Sequence, residues 1–311
     1  MLPLYRREVT PEGIDLQFEA VDEPREIFDR MGGRSEYDLA EFSCSEFVAR
    51  LSGGHSSLVG IPVFPSRVFR HGFICVNRRS GIRGPKDLEG RRIGVELYTT
   101  TAAVYIRGLL QHDYQVDLSK IHWVQGAFDS PGAWGHPSAP ALLTPVSLEI
   151  NTGSDSLDQL LQAGKIDAVI GARLPASLNR DPDVVRLFPN FKETEKAYYK
   201  RTGIFPIMHV IAIRREIYQQ HPWIASSLFA AFSKSKAIAL ERMHSFGALP
   251  YMLPWLASHV AETEEALTTD PWPYGIEANR ATLQAFVTYM LDQAMIAELP
   301  SVDDLFVPVD A

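Results

Sequence analysis

The chain has 311 residues, of which 46% are hydrophobic and 22% are charged, which is typical of an ordinary globular protein. This length is compatible with one large domain or two smaller ones. The formal net charge of −8 argues against a general nucleic-acid-binding protein, because the binding surface of such a protein should be basic.

The cysteines and the length of the apolar runs indicate in which cellular compartment the protein is expected. Cys44 and Cys75 lie in apolar stretches without CxxC spacing, so we interpret them as buried, inert thiols in a reducing compartment. No apolar run approaches the roughly 20 residues of a membrane span. Residues 1–8 also lack the apolar core of a signal peptide. We therefore expect a cytoplasmic protein with no membrane partner.

The first quarter of the chain alternates predicted strands and helices. Apolar and polar residues alternate over residues 13–21, which predicts a strand, and residues 24–31 are typical of a helix. The elements predicted next are a short strand at 37–40, a helix at 45–51, and strands at 58–64 and 68–76, separated by a break at Pro65 and Ser66.

A strand, a hydroxyl cluster and a helix follow one another between residues 92 and 110. The apolar run 92–97 predicts a buried strand, and a helix is expected to begin at Ala102. The free amides of that helix, its dipole and the neighbouring hydroxyls would favour a small carboxylate. The candidate anion-binding residues are Tyr98, Thr99, Thr100 and Thr101. The alternative is that Thr100 or Thr101 only caps the helix.

A second strand–helix unit follows a stretch rich in Gly, Pro, Ser and Trp. That stretch, 122–150, predicts irregular structure with a short strand near 121–125. An amphipathic helix is predicted at 154–163, and a buried strand at 166–171 comes after it. Arg173 stands just past the carboxyl end of this strand, which is the end where ligands bind in parallel α/β sheets.

The rest of the chain is mainly helical. Strands are predicted at 184–187 and 208–213, and helices at about 214–219, 222–242, near 252 and 263, and 276–298. Strands that alternate with helices, followed by a helical finish, predict an α/β architecture with mostly parallel sheets and a helical C-terminal part.

Arginine side chains are the natural partners of a carboxylate, because the guanidinium is a fork of donors. Strand alternation would place Arg67 and His71 on one face and Arg70 on the other, so we favour Arg67 as the one that faces a ligand. Arg107, on the helix after the threonines, and Arg173 are further candidates. The alternative for each is a salt bridge.

Two histidines are candidates for proton transfer, because histidine titrates near neutral pH. They are His71, in a strand-like apolar run, and His209, close to Pro206. The alternative for each is a hydrogen-bonded core residue. Ser43, with its neighbours Glu41 and Ser45, could line a pocket or cap a helix. No HxH, HExxH or cysteine cluster occurs, so no metal site is predicted.

Several long segments resemble one family of enzymes. They are 37–43 (YDLAEFS), 61–72 (IPVFPSRVFRHG), 92–102 (RIGVELYTTTA), 107–110 (RGLL) and 205–210 (FPIMHV). Together with the helix–Gly–IDA-strand pattern at 160–168, they resemble the 4,5-dihydroxyphthalate decarboxylase family, whose members have the type II periplasmic-binding-protein fold. The resemblance covers most of the chain.

This resemblance implies two α/β lobes with a ligand cleft between them. Lobe one would comprise residues 1–97 plus 206–311, and lobe two residues 98–205, with hinges near Leu97 and Phe205. Family members usually begin with an extra strand before the segment that matches residues 4–9. The resemblance therefore implies that the chain starts inside that region.

The resemblance also implies an activity, the removal of carbon dioxide from a phthalate-type acid in which each carboxylate is para to a hydroxyl. Protonation of the ring carbon that bears the carboxylate avoids an aryl carbanion and needs no organic cofactor. A proton donor, a base near the phenol and cations for the second carboxylate would suffice. His71 and His209 become the expected catalytic residues. The partner would be a small aromatic carboxylate, and self-association into a homo-oligomer stays open. The alternative is a non-catalytic solute-binding or sensing protein on the same fold.

Overall fold

The computed structural model describes residues 1–54, 56–135, 140–268 and 270–310. Within these residues the strands form two separate sheets, one with three strands and one with six. The helices are α1 (Leu2–Tyr5), α2 (Pro24–Arg34), α3 (Cys44–Ser52), α4 (Thr101–Tyr114), α5 (Leu157–Gln162), α6 (Phe191–Thr202), α7 (Arg215–Gln220), α8 (Ile224–Met243), α9 (Leu256–Ala266) and α10 (Arg280–Asp292). None of the helices in these ranges is long and apolar enough to cross a membrane.

The three-stranded sheet joins the beginning of the chain to a later strand. Its strands are β1 (Leu39–Ser43), β2 (Leu58–Arg67) and β9 (Ile207–Arg214), and β9 lies in the middle. Both pairings are antiparallel. Alternate side chains of β2 and β9 pack on α8 at one face and on α3 and α10 at the other, so the sheet is buried between helices.

The six-stranded sheet is mixed, with the order β6-β5-β4-β7-β3-β8. Helix α4 packs on one face, and α5 packs on the other. Its strands are β3 (Ile74–Asn77), β4 (Arg92–Val95), β5 (His122–Gln125), β6 (Leu148–Ile150), β7 (Ala168–Ile170) and β8 (Val184–Arg186).

The α/β prediction is confirmed, but the sheets are not mostly parallel. Among the strands described, three pairings are parallel (β4–β5, β4–β7 and β5–β6) and four are antiparallel. The antiparallel pairings arise because β3 and β9 run against their neighbours after the chain crosses between the sheets. Strand direction depends on these crossings, and local sequence patterns do not reveal them.

Two predicted strands are wrong in whole or in part. Residues 13–21 form no strand, because none of the described strands pairs with them. The predicted strand 68–76 is interrupted: residues 68–70 are irregular, a 3-10 turn occupies His71–Phe73, and β3 starts only at Ile74. The alternation of Arg67, Arg70 and His71 therefore does not apply.

Sheet membership bears on the proposed lobes. Strands β3 and β4 lie within the segment 1–97 assigned to lobe one, yet they pair in the six-stranded sheet. The chain crosses between sheets after β2 and again before β9. The division into lobes stays a prediction, and sheet membership favours a first boundary near residue 70.

A glycine fixes how α4 crosses α10. A Cβ at Gly108 would lie 2.2 Å from the ring of Tyr289, much closer than any real contact. The two helices pack directly on each other. Helix α4, which leads away from the hydroxyl cluster, is therefore held against α10 by the lack of a side chain at one position.

Candidate active site

Side chains from both sheets meet at one junction. It comprises the end of β1, the start of β9, and the segments that follow β4 and β7. Ser43 and Thr101 bridge the sheets through their hydroxyl oxygens, which are 3.1 Å apart. The residues gathered here come from four separate stretches of the chain, and we call this region the sheet junction.

A histidine–carboxylate pair lies at the sheet junction. The His209 Nδ1 atom is 2.5 Å from Oε1 of Glu41, and both side chains are partly exposed, by 19% and 16%. The ring of Phe28 contacts the imidazole edge-on, with 4.8 Å between centroids. Since the carboxylate accepts the Nδ1–H, it orients the ring and leaves Nε2 without a hydrogen-bond partner among the described residues. This arrangement suits proton transfer from Nε2.

Hydroxyl groups surround the end of β1. The Ser43 hydroxyl is 3.2 Å from that of Ser45, and the backbone amide of Ser45 donates to Thr101 Oγ1 at 3.0 Å. Ser45 also donates to the carbonyl of Thr99 at 2.7 Å. Ser43 is the direct strand partner of His209. The hydroxyls are thus rigidly arranged next to the histidine–carboxylate pair.

A second carboxylate and an arginine follow the strands of the other sheet. Arg173 donates from Nε to Glu96 Oε1 at 3.1 Å and from Nη1 to Asp129 at 3.0 Å. The guanidinium also lies over the ring of Trp134, 5.5 Å from its centroid. Burial raises the pKa of Glu96, although Arg173 acts in the opposite direction. Glu96 Oε2 has no hydrogen-bond partner among the described atoms, so this carboxylate could accept a proton.

Arg70 connects the two halves of the sheet junction. Its guanidinium donates to the carbonyl of Ala172 at 3.2 Å and to the thioether sulfur of Met208 at 3.2 Å. The side chain is almost fully buried, and this burial lowers its pKa to about 9. A thioether is a weak acceptor, so this buried cation lacks a strong partner. Ala172 directly precedes Arg173 and Met208 directly precedes His209, so Arg70 contacts the two chain segments that carry the polar groups.

The Arg67 side chain donates hydrogen bonds to backbone carbonyls and is buried. It donates to the carbonyl of Phe205 at 2.7 Å and to that of Pro273 at 3.4 Å, and it stacks on the ring of Phe205. Its burial lowers the pKa to about 10. The geometry therefore favours Arg70 over Arg67 at the junction, because the chain turns after Arg67.

His71 lies in an aromatic box away from the His209 pair. The rings of Tyr114, Phe188 and Tyr198 contact its ring edge-on. Among the described residues, neither ring nitrogen has a hydrogen-bond partner, and Glu195 is 3.9 Å from Nδ1, too far for a hydrogen bond. Burial lowers the pKa of His71 to about 4, so the ring is neutral at pH 7. A ring that is neutral at pH 7 is poorly suited to act as a proton donor.

The remaining candidates on α4 have local roles. Thr100 is the cap of α4, where its side chain accepts from the amide of Ala103. Arg107 is fully buried, stacks 3.6 Å from the ring centre of Tyr98, and donates to Gln293 at 2.8 Å. Tyr98 thus packs in the core between α4 and the six-stranded sheet, and Arg107 links it to Gln293 at the end of α10. Their expected contact with an anion stays a prediction.

Sequence reasoning named Glu41 only as a pocket neighbour and missed Glu96. Glu41 lies two residues before the end of β1, in step with Ser43, so a strand-face argument would have placed both together. Glu96 directly follows the buried strand β4, an unusual place for a carboxylate. Among the described residues, no group of three His, Cys, Asp or Glu side chains could hold a metal ion.

No protein-family model matches the chain. Among solved structures, a structural-genomics protein from Archaeoglobus fulgidus aligns with a TM-score of 0.51 at 14% identity and covers 95% of this chain and 92% of its own. The periplasmic sulfonate-binding protein SsuA from Methylobacillus flagellatus aligns with a TM-score of 0.51 at 11% identity and covers 98% of this chain and 82% of its own. The chain shares the fold of this periplasmic sulfonate-binding protein, as the sequence resemblance implied.

Curated relatives identify the family. A 4,5-dihydroxyphthalate decarboxylase of Comamonas testosteroni is 36% identical over 288 residues, which are 92% of this chain and 87% of the relative. A second, from Pseudomonas putida, is 34% identical over 199 residues, which are 64% of this chain and 76% of the relative. The chain belongs to the 4,5-dihydroxyphthalate decarboxylase family.

Proposed function

We propose that this chain decarboxylates 4,5-dihydroxyphthalate, or a closely similar hydroxylated aromatic carboxylate, to a product such as protocatechuate at the sheet junction. The observation that carries the proposal is the His209–Glu41 pair, in which the carboxylate holds Nδ1 and leaves Nε2 open. The names of the two curated relatives supply the substrate class.

The reaction replaces a carboxylate on the ring by a proton. His209, protonated and held by Glu41, gives a proton from Nε2 to the ring carbon that bears the carboxylate. The para hydroxyl loses its proton to a base, which leaves a neutral dienone. The bond to the carboxylate then breaks, and its electron pair restores the aromatic ring while carbon dioxide leaves. The phenol regains its proton, and His209 is reprotonated from water.

Other groups at the sheet junction bind and orient the substrate in this proposal. Arg70 takes one carboxylate, which exchanges a weak thioether acceptor for a charged one. Arg173 attracts the second carboxylate of the substrate. Glu96 accepts the phenolic proton through the unpaired Oε2, and burial, by raising its pKa, suits it to that role. The hydroxyls of Ser43 and Thr101 are placed to hydrogen-bond oxygen atoms of the substrate.

We also propose a cytoplasmic location. Support comes from Cys44 and Cys75, which are both buried free thiols, as expected in a reducing compartment.

Release of carbon dioxide from 4,5-dihydroxyphthalate by the purified chain tests this proposal. Turnover that His209→Asn abolishes while substrate still binds would support proton donation by His209. Thermal stabilisation by the substrate without release of carbon dioxide would point to a binding or sensing protein instead. A parallel reaction with a chelator shows whether turnover needs a metal ion.

A further inference from the structure

The turn between α8 and α9 carries an unusual apolar surface. Residues 244–255, which we call the hairpin tip, form a run of twelve consecutive exposed residues. Six of them are large and apolar, with Met252 fully exposed and Trp255 exposed by 72%. The other four are Phe246, Leu249, Tyr251 and Leu253. None of the six belongs to a hydrophobic cluster of the described residues.

The hairpin tip also lacks Asp, Glu, Lys and Arg, and its one imidazole, that of His244, is paired with Glu264. The nineteen residues from Met243 to Ala261 contain no Asp, Glu, Lys or Arg, in a chain of which 22% is charged. Cores of protein interfaces are depleted of charged residues and enriched in Tyr, Trp, Phe and Met. Trp and Tyr also contribute most often to binding energy. The composition of the tip is that of an interface core.

The exposed area agrees with an interface. The six residues are exposed by 46% to about 100%. With roughly 150–250 Å² for a large side chain, they expose on the order of 700 Å², more than the roughly 300–600 Å² of the largest apolar patch on an ordinary monomer. Each partner in a standard interface contributes about 800 Å². One tip against another would therefore bury enough surface for a specific dimer.

We propose that the hairpin tip is the contact through which two copies of this chain form a two-fold symmetric dimer. In such a contact both copies use the same patch, so each residue of one tip meets a residue of the other tip. The tip contains no Asp, Glu, Lys or Arg, so two tips meet without bringing like charges of these side chains together, although the whole chain has a net charge of −8. An anionic lipid surface fits less well, because the tip has no Lys or Arg to bind anionic headgroups.

Sedimentation velocity over a range of concentrations tests the dimer. The parent chain should sediment with twice the mass of 34.8 kDa. The variant Tyr251→Ser/Met252→Ser/Trp255→Ser should shift to the monomer mass, with the dissociation constant raised at least tenfold. Its turnover should be unchanged, because the tip is outside the sheet junction. The matched control Leu143→Ser/Ile150→Ser removes two other exposed apolar side chains and should remain dimeric.

A cross-link locates the contact without removing it. The variant Met252→Cys should form a covalent dimer on mild oxidation, whereas Ile150→Cys should not; the native Cys44 and Cys75 are buried. A parent that is monomeric at all concentrations would overturn the proposal, as would a dimer that the triple substitution leaves intact. A monomeric parent that sediments with phosphatidylcholine vesicles would assign the tip to a lipid surface.

Discussion

His209 and Glu41 are 168 residues apart in the chain, yet their side chains meet at 2.5 Å on neighbouring strands. The register explains the contact: Ser43 faces His209 and Glu41 faces Ile211, so the two are diagonal neighbours on one face of the sheet. The antiparallel pairing of β1 with β9 therefore brings the imidazole of His209 and the carboxylate of Glu41 together, as the proposed proton transfer requires.

Removing the imidazole should slow the chemical step more than it weakens binding. We expect His209→Asn to lower kcat by about 10²- to 10⁴-fold with little change in KM, because general acid catalysis contributes about that much. Glu41→Gln should lower kcat about tenfold or more, since the ring loses its charged orienting partner. Steady-state rates of carbon dioxide release measure both effects. The control is His112→Asn, which breaks a similar pair with Asp292 on the surface; an equal loss there would contradict the assignment.

Replacing the buried Arg70 by lysine should weaken substrate binding. Arg70→Lys cannot bridge Ala172 and Met208 as a guanidinium does, so we expect KM to rise roughly 10- to 100-fold, the effect of losing charge-assisted hydrogen bonds of about 1.5–3 kcal/mol. Arg67→Lys is the comparison, because Arg67 holds the Phe205 carbonyl. It should lower the melting temperature and leave KM unchanged. The reverse pattern would restore Arg67 as the carboxylate ligand.

The buried His71 should make stability depend on pH. Burial lowers the pKa of His71 to about 4 in the folded chain, whereas the unfolded chain binds the proton near pH 6.5. The unfolded state therefore holds more protons between these values, and stability is retained above pH 6.5 and lost as pH falls toward 4. The effect is at most about 3 kcal/mol.

The variant His71→Phe isolates this contribution. Chemical denaturation at pH 7.5 and pH 4.5 should show a smaller loss for the variant than for the parent, because phenylalanine fills the aromatic box without titrating. Equal losses in both chains would show that His71 does not govern the pH dependence. Turnover should persist in the variant, since the ring contacts of His71 are with Tyr114, Phe188 and Tyr198 and not with the His209 pair.

The crossing of α4 and α10 gives a test of packing. Gly108→Ala would place a methyl group 2.2 Å from the Tyr289 ring, so we expect a loss of about 1–3 kcal/mol, typical of overpacking. The matched control is Gly33→Ala in α2, where nothing lies within 4 Å and alanine should stabilise the helix by about 0.5–1 kcal/mol. Thermal melts of both variants measure the two effects; a neutral Gly108→Ala would contradict the close crossing.

Local patterns in the sequence were sufficient for much of the architecture. Helix α4, its Thr100 cap, the strand at β7 and the helix–strand alternation depend on short-range signals, namely periodicity, caps and breakers, which neighbouring residues carry. The family was recognisable for a related reason, because its motifs are long continuous segments. Arg173 was also placed correctly at the end of a strand.

The tertiary structure decided which of the candidate residues meet. Two histidines looked alike in sequence, but one lies in a closed aromatic box and the other faces a carboxylate from a distant strand. Strand alternation favoured Arg67 over Arg70, but the strand ends at Arg67, so that alternation does not extend to Arg70. Burial, pairing register and the direction of β3 and β9 are properties of long-range contacts. Chemistry that needs two groups from separate strands is therefore fixed only when the chain has folded.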